Sequence, residues 1–510
     1  MTDWTAGYRT EITYTHGYYA ELNPLRLPLA FLAAGLRPPT VGIACELGFG
    51  QGITVNMHAT ASQVQWAGTD FNPTQAGFAQ EVAQNAGNGA RLYDEGFAEF
   101  CVRTDLPEFD YISLHGIWAW VSDENRAVIV DFIRRKLKVG GVLYISYNTQ
   151  PGWAAMLPMR NLLSHYFESQ TKGGTILSRV DSTLAFADQL MALNPLFARA
   201  NPQIAQRIEK IKGQNRAYIA HEYFNGHWDP MSFAQMAQWL APAKLQWATS
   251  AHILDAIAPI NLTAEQQQLL AGISDPVLQQ SVRDFCTNQQ FRKDYWVKGA
   301  RTLAPLECAE LLRTQRVILI QERSQIELKA TGSLGSAELK ETTYAPLLDQ
   351  LADLKPKTLG QLEQALQAHG MQWPQIFEAV LVLTGSGKIC PAHSDEAIQK
   401  AKKRTDRLNT WLMHKARGGG DVQYFASPVT GGGVSVARFD QLFLLARQQG
   451  HKAVHEWAAF TWNVLKMQGQ RIVKEGKTLE TDEDNLAEIT AQAAAFQKNR
   501  LPLLKALQVV

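Results

Sequence analysis

Between residues 41 and 148, short apolar runs alternate with stretches in which apolar residues recur every three or four positions. VGIACEL (41–47), VQWAGTD (64–70), the short Ala90–Tyr93, FDYISLH (109–115) and GGVLYISYN (140–148) read as five strands. Ile53–Ala61, Pro73–Asn85 and Asn125–Leu137 read as helices between them. Strand and helix repeating at this rhythm predict an α/β, Rossmann-like fold with a parallel sheet and crossover helices. Ahead of it, Tyr8, Tyr14, Tyr18 and Tyr19 cluster before an apolar helix over 27–36, which Pro38-Pro39 stops.

After residue 155 the pattern becomes mainly helical, as in Met156–Phe167, Leu184–Leu193 and Phe233–Leu240. RVILIQER and QIELKATGS, within 316–345, predict a β-hairpin around Ser324. Leu347–Leu354, Leu359–His369 and Trp373–Thr384 predict three short helices, followed by a turn and strand in GSGKICPA. That order resembles a winged helix. Gly418–Gly420 and Gly431–Gly433 bracket an expected exposed loop, and the tail from Phe439 is mostly helical. The expected organisation is an N-terminal lid segment (1–40), an α/β domain (41–155), a helical middle domain (156–305) and a mainly α C-terminal domain (306–510) with its winged-helix-like part near 346–392.

Composition narrows the function classes. The 510 residues carry 49 basic and 48 acidic side chains, a net charge of +1. So even a balance gives no expectation of nucleic acid as the main partner. Five widely separated cysteines with no CxxC argue against a disulfide scaffold or zinc ribbon and fit a reducing compartment. The N-terminus lacks a secretory pattern, and no apolar run is long enough for a membrane span. A cytoplasmic location is expected. HExxH is absent; His451 and His455 share a helix face but have no third ligand in view, so no metal site is expected.

The most informative segment is Glu46-Leu47-Gly48-Phe49-Gly50-Gln51-Gly52, between the first strand and its helix. Glycines at GxGxG let a backbone pass close to a ligand. Ile53 stands where a dinucleotide fingerprint needs glycine, which disfavours NAD and FAD. Asp70 ends the second strand, where a carboxylate can accept hydrogen bonds from ribose hydroxyls; the alternative is a helix N-cap. Phe71 and Phe97 are adenine-contact candidates, with Asp94 and Glu99 as alternates to Phe97. Strand four ends in Leu114-His115-Gly116-Ile117-Trp118-Ala119-Trp120, and strand five exits through Tyr147-Asn148. Strand carboxyl ends line the crevice of an open sheet, so His115, Gly116, Trp118, Trp120, Tyr147 and Asn148 are expected there.

ExGxGxG resembles motif I of class I S-adenosylmethionine (SAM) methyltransferases. LHGIWAWV, ISYNTQPGW, AHEYFNGHWDPMSFAQMAQWLAPAKLQW and FRKDYWVKGAR resemble bacterial members that carry a methyltransferase regulatory domain, among them rickettsial lysine methyltransferases of an outer membrane protein. The resemblance covers roughly residues 8–305. It implies SAM as cofactor, S-adenosylhomocysteine as product, and binding by Glu46, Gly48, Phe49, Gly50, Gly52, Asp70, Phe71, Phe97, His115 and Gly116. It implies a C-terminal domain that shapes substrate access, and a homodimer. It also implies an N-terminal segment over the cleft, with Tyr14, His16, Tyr18 and Tyr19 as lid candidates. His115, Tyr147 and Tyr19 are then catalytic candidates, and Trp118, Trp120, Asn148 and Glu222 substrate candidates. For the His221-Glu222-Tyr223 group, a helix-end tie between domains is the competing role. Asp284, Arg292, Lys293 and Asp294 are expected to form a salt-bridged surface. The expected activity is methyl transfer to protein lysine. A small-molecule or glycan acceptor stays open, as does a non-catalytic SAM-binding protein that uses 346–392 against nucleic acid.

Overall fold

The computed structural model describes residues 15–171 and 173–510. Tyr8 and Tyr14 lie outside the described residues. A seven-stranded sheet organises the N-terminal 300 residues, in the order β3-β2-β1-β4-β5-β7-β6. Its first five strands are those expected: β1 (Ile43–Leu47), β2 (Gln65–Thr69), β3 (Arg91–Tyr93), β4 (Phe109–Leu114) and β5 (Leu137–Asn148). They pair in parallel. The helices among them are α1 (Leu27–Ala33), α2 (Ile53–Ala61), α3 (Pro73–Ala86), the single turn α4 (Phe97–Phe100) and α5 (Asp123–Lys136).

The sheet does not stop at β5. The segment expected to be helical donates β6 (Leu245–Ser250) and β7 (Phe291–Lys298). Strand β7 inserts antiparallel between β5 and β6. A boundary at residue 155 therefore divides residues of one sheet. The intervening helices α6 (Leu157–Ser169), α7 (Ile176–Ala192), α8 (Leu196–Ala200), α9 (Gln203–Lys212) and α10 (Arg216–Tyr223) gather around Leu163, Phe167, Ile204, Ile208 and Phe224. Helix α11 (Phe233–Leu240) then packs onto the sheet, where Phe233 stacks on Trp296 at 5.4 Å.

Beyond residue 305 two further cores form. In the first, β8 (Arg316–Leu319) does not pair with the strand that follows it. That strand, β9 (Lys329–Gly332), forms its own hairpin with β10 (Gly335–Glu338). The expected hairpin around Ser324 is replaced by a 3-10 turn, Arg323–Gln325. Instead β8 lies between β11 (Lys357–Thr358) and β12 (Ile389–Pro391), against helices Glu341–Gln350, Leu359–Leu366 and Trp373–Gly385. These are the parts of a winged helix, with the central strand supplied from ahead. Trp373–Gly385 carries no Lys or Arg, and Ala379–Thr384 are buried, so it presents no cationic face to a phosphate backbone.

The second core joins the tail to the cofactor-type domain. The long helix Asp395–Lys415 and the hairpin β13 (Tyr424–Ser427) with β14 (Gly432–Ser435) share a cluster with Ile53, Met57, Ala61, Val82 and Ala86 of α2 and α3. The stretch between the two triple-glycine runs is thus no exposed loop. Ser427, Val429 and Thr430 at the hairpin's turn are buried.

The expected charged surface is also buried. Arg292 on β7 is 4% exposed, and the Asp284 and Asp294 beside it are 1% exposed each. Its guanidinium reaches Asp284 at 2.5 Å and Asp294 at 2.7 Å. Tyr147 Oη donates to Asp294 at 3.1 Å and Trp247 Nε1 donates to it at 3.0 Å. Only Lys293 points elsewhere, to Glu21. Removing one partner of a buried ion cluster strands the remaining charges, at about 3–5 kcal/mol. Arg292→Leu should therefore lower the urea-unfolding free energy by about that much, whereas Lys400→Ala, which loses only the exposed Glu396 pair, should change it by less than about 1 kcal/mol. Equal effects would show that the buried cluster contributes no more than a surface pair.

Candidate functional site

The carboxyl ends of β1 to β5 open on one cleft of about 1030 Å³. Its floor is the glycine-rich turn. Gly48, Gly50 and Gly52 have φ of +71°, +57° and +68°, a region that favours glycine. A Cβ on Gly48 would sit 2.7 Å from Ile117, and one on Gly52 would collide with Ala79 of α3. The glycines therefore let the turn close tightly against β4 and α3.

Two carboxylates face this floor. Asp70 Oδ2 accepts from Gly50 N at 2.8 Å and Oδ1 accepts from Asn72 N at 3.0 Å. Asp70 is not the helix N-cap; Asn72 fills that place by accepting from Thr74 N. Glu46 is 3% exposed, and its Oε2 is buried without a hydrogen-bond partner. Burial raises both acids, Asp70 to about 6 and Glu46 to about 8, and the neighbouring Asp70 adds to the shift at Glu46. An orphaned buried acceptor and a ribose-type carboxylate over a glycine floor fit SAM, which carries an ammonium, a sulfonium and a ribose diol.

Phe71, Asp94, Gly96 and Phe97 also line the cleft. Glu95 is held by Arg103 at 2.5 Å, and Glu99 turns back to accept from Gly96 N at 3.2 Å. The irregular run after β3 is thus the N-terminus of α4, with Gly96 as its cap.

At the end of β4, His115 lies in the wall. Its Nδ1 is 2.8 Å from Tyr144 Oη and 3.0 Å from Ser146 Oγ. Tyr19 stacks on it with ring centroids 3.8 Å apart. Burial lowers His115 to about 3, so the imidazole is neutral at pH 7. A group that binds its proton only near pH 3 is too weak a base to deprotonate an acceptor at neutral pH.

The other half of the cleft is aromatic and comes largely from the middle segment. Trp120 and Asn148 line it as expected. Glu222 does too, together with Tyr218 and His221 of α10, so this helix end is a wall of the cleft as well as a join between elements. Trp153 and Phe291 complete it, and sequence reasoning had not named them as site residues; nor had it named Tyr218. The available signal was in ISYNTQPGW, which ends in Trp153, and FRKDYWVKGAR, which begins with Phe291; Tyr218 stands two residues ahead of AHEYFNGHW.

Two expected site residues are not there. Trp118 is fully buried, its Nε1 directed at Met231 Sδ at 3.3 Å. Tyr147 is 1% exposed and bound to Asp294 on the far side of its strand. Side chains alternate along β5, so if Tyr147 serves the ion cluster its neighbours Ser146 and Asn148 serve the cleft. Among the described residues no group of three or more His, Cys, Asp or Glu could hold a metal ion, and no helix is long and apolar enough to cross a membrane.

If Asp70 accepts from ribose as a carboxylate, the ligand binds its ionised form. Affinity for SAM should then fall by up to tenfold per unit as the pH drops below about 6 and Asp70 takes its proton, a step separate from the one Glu46 contributes near pH 8. Asp70→Ala should weaken binding roughly 10- to 100-fold and remove the lower step. Calorimetric titration from pH 5 to 8 checks both, and an unchanged affinity in the variant would refute the assignment.

Comparison with known proteins matches this geometry. Residues 215–298, from α10 to the end of β7, match the model of a predicted methyltransferase regulatory domain. PKMT2 from Rickettsia typhi, solved in complex with AdoHcy, shares the fold at a TM-score of 0.68 and 18% identity, over 95% of this chain and 98% of that one. An uncharacterized protein of Rickettsia prowazekii (strain Madrid E) is 26% identical over 292 residues, 55% of this chain and 51% of that protein. An uncharacterized protein of Synechocystis sp. is 39% identical over 511 residues, covering 99% of both chains. The chain belongs to the same family as the Synechocystis protein, which it matches end to end; within it, residues 215–298 match the predicted methyltransferase regulatory domain, and the fold is that of PKMT2.

Proposed function

We propose that the protein transfers the methyl group of SAM to lysine side-chain amines of a protein substrate. The supporting observation is the division of one cleft into a glycine-floored half, with Glu46 and Asp70, and an aromatic half that ends in Glu222. The likeness to PKMT2 of Rickettsia typhi supports the same reading. Five free cysteines favour action in a reducing compartment such as the cytoplasm.

Bound SAM supplies an electrophilic methyl carbon on a sulfonium. Glu46 and Asp70 would hold it at the ends of β1 and β2, with Phe71 and Phe97 beside them. The acceptor must arrive with a lone pair, and deprotonating a lysine of pKa ~10.4 at pH 7 costs about 4–5 kcal/mol. Trp120, Trp153, Tyr218 and Phe291 make an apolar surround that disfavours the ammonium and lowers that cost. Glu222 draws the cationic side chain in and orients it, and its charge favours the ammonium, so the apolar walls must outweigh it at the reacting amine. Neutral His115 is not the base; with Tyr19 stacked on it, it forms a fixed wall beside the reacting centre. Burial, with Glu222 nearby, raises Tyr218 to about 12, so it stays a neutral hydroxyl at pH 7.

The acceptor half is bounded by the regulatory segment, and none of the described lining residues comes from 306–510. A protein acceptor would enter along α10.

Purified protein, methyl-labelled SAM and fractionated extract of the source cell test this, with Asp70→Ala as control. Label is expected on lysine in a discrete, protease-sensitive band and absent in the control. Label confined to protease-insensitive small molecules or glycans would overturn the protein-lysine reading. With the acceptor in hand, Glu222→Gln should raise its KM roughly tenfold while leaving the SAM affinity within about twofold. An unchanged KM would remove Glu222 from acceptor binding.

A further inference from the structure

The segment before α1 runs along the rim of the cleft, and successive residues of it face opposite ways. Tyr19 enters the cleft and stacks on His115. Tyr18 turns outward, into the C-terminal domain. Its ring lies flat on Gly433 of β14, where a Cβ would fall 2.9–3.1 Å from three ring carbons. Its hydroxyl sits over Gly432, so closely that a Cβ there would overlap it, and is 3.1 Å from His58 Nε2 of α2. Tyr424 of β13 closes the other side, with centroids 5.5 Å apart.

Neither Gly432 nor Gly433 needs glycine for its backbone, since neither has a positive φ. They have no side chain because the Tyr18 ring fills the space. The same hairpin also holds Asn23, whose Nδ2 donates to Thr430 O at 2.9 Å. Inside the strap, Tyr19 N donates to Thr54 Oγ1 at 3.1 Å, and a Cβ on Gly17 would sit 2.9 Å from Tyr19 Oη. A displacement of Tyr18 therefore passes through one peptide unit to Tyr19.

We propose that Tyr18 is a positioning residue for methyl transfer: the β13–β14 hairpin grips it, and that grip fixes Tyr19 against His115. The C-terminal domain thereby acts on the transfer step although none of its described residues lines the cleft. This rests on the reading of the cleft as a methyltransferase site, but its first test does not.

The first test is spectroscopic. A tyrosine ring 3.8 Å from an imidazole shifts the His115 resonances by its ring current. In protein labelled at histidine and assigned with His115→Asn, Tyr18→Ala should move the His115 signal toward its unstacked position. Tyr18→Phe keeps the ring on Gly433 and should leave the signal in place. Gly433→Ala, which pushes the ring without deleting it, should move it in the same direction as Tyr18→Ala. The second test is kinetic, on the acceptor found above. Tyr18→Ala and Gly433→Ala should lower kcat roughly 10- to 100-fold with SAM affinity within about threefold, and Tyr18→Phe should restore most of the rate. A His115 signal unmoved in both Tyr18→Ala and Gly433→Ala overturns the proposal, as does a moved signal with unchanged kcat. If the unsubstituted protein transfers no methyl, the functional reading fails, and the spectroscopic arm alone decides whether the hairpin sets Tyr19.

Discussion

Helix α2 leaves the glycine-rich turn and is buried at every residue from Ile53 to Ala61, so apolar cover has to be supplied on two sides of it. Val55 and Ala59 face the sheet, in a cluster with Ala44, Trp66 and Tyr111. Ile53, Met57 and Ala61 face the other way, in a cluster built from the C-terminal helices and hairpin. A fully buried side chain of this size contributes about 1.5–3 kcal/mol. Without the tail, one face of the helix that anchors the cofactor turn would lie in water. Polar groups of α2 are met by the same surroundings: Asn56 donates to Gly52 O and Ala79 O, His58 Nε2 meets Tyr18, and Asn88 donates to Thr60 Oγ1, while His58 Nδ1 is buried without a partner. The turn is thus fixed by contacts from the α/β core and from the C-terminal helices and hairpin together.

The regulatory segment has a comparable structural duty. It supplies the final two strands of the sheet, and β7 carries the Arg292 cluster along one stretch and Phe291 at the cleft mouth. The aromatic wall of the cleft is therefore not a separate body resting on the α/β core. Strand β7 is tied to β5 by seven registered residue pairs, and the loop after α10 joins the end of β5 through the Thr149–Met231 bridge. This is the means by which Glu222 and Tyr218, far from β4 in sequence, come to face Tyr19 and His115 across one cleft.

Much of this was legible in the sequence. The strand and helix alternation over 41–148, the glycine turn, Asp70, Gly116, Trp120 and Asn148 all followed from local periodicity and spacing, because a strand's neighbours decide its exits. ITVNMHATA carries no charged residue and no separate polar face, the mark of a helix covered on every side. The assignments that failed share a cause. Tyr147 and Trp118 sit beside true cleft residues, and which way each points depends on strand parity and on what packs beneath. β6 and β7 were hidden because KLQWATS and FRKDYWVK have ordinary amphipathic patterns, and only their partners make them sheet.

What the sequence determined by itself was therefore the α/β core and the chemistry of its turn, since a GxGxG turn after a buried strand and an acid at the end of the next need only local geometry. The tertiary structure alone decided that His115 is neutral, that Arg292 is buried between two carboxylates, that Glu222 joins the cleft, and that Gly432 and Gly433 are bare to receive Tyr18. The places of Glu222 and of Gly432 and Gly433 depend on contacts across more than a hundred positions, those of His115 and Arg292 on burial, and neither chain distance nor burial is written in a local pattern.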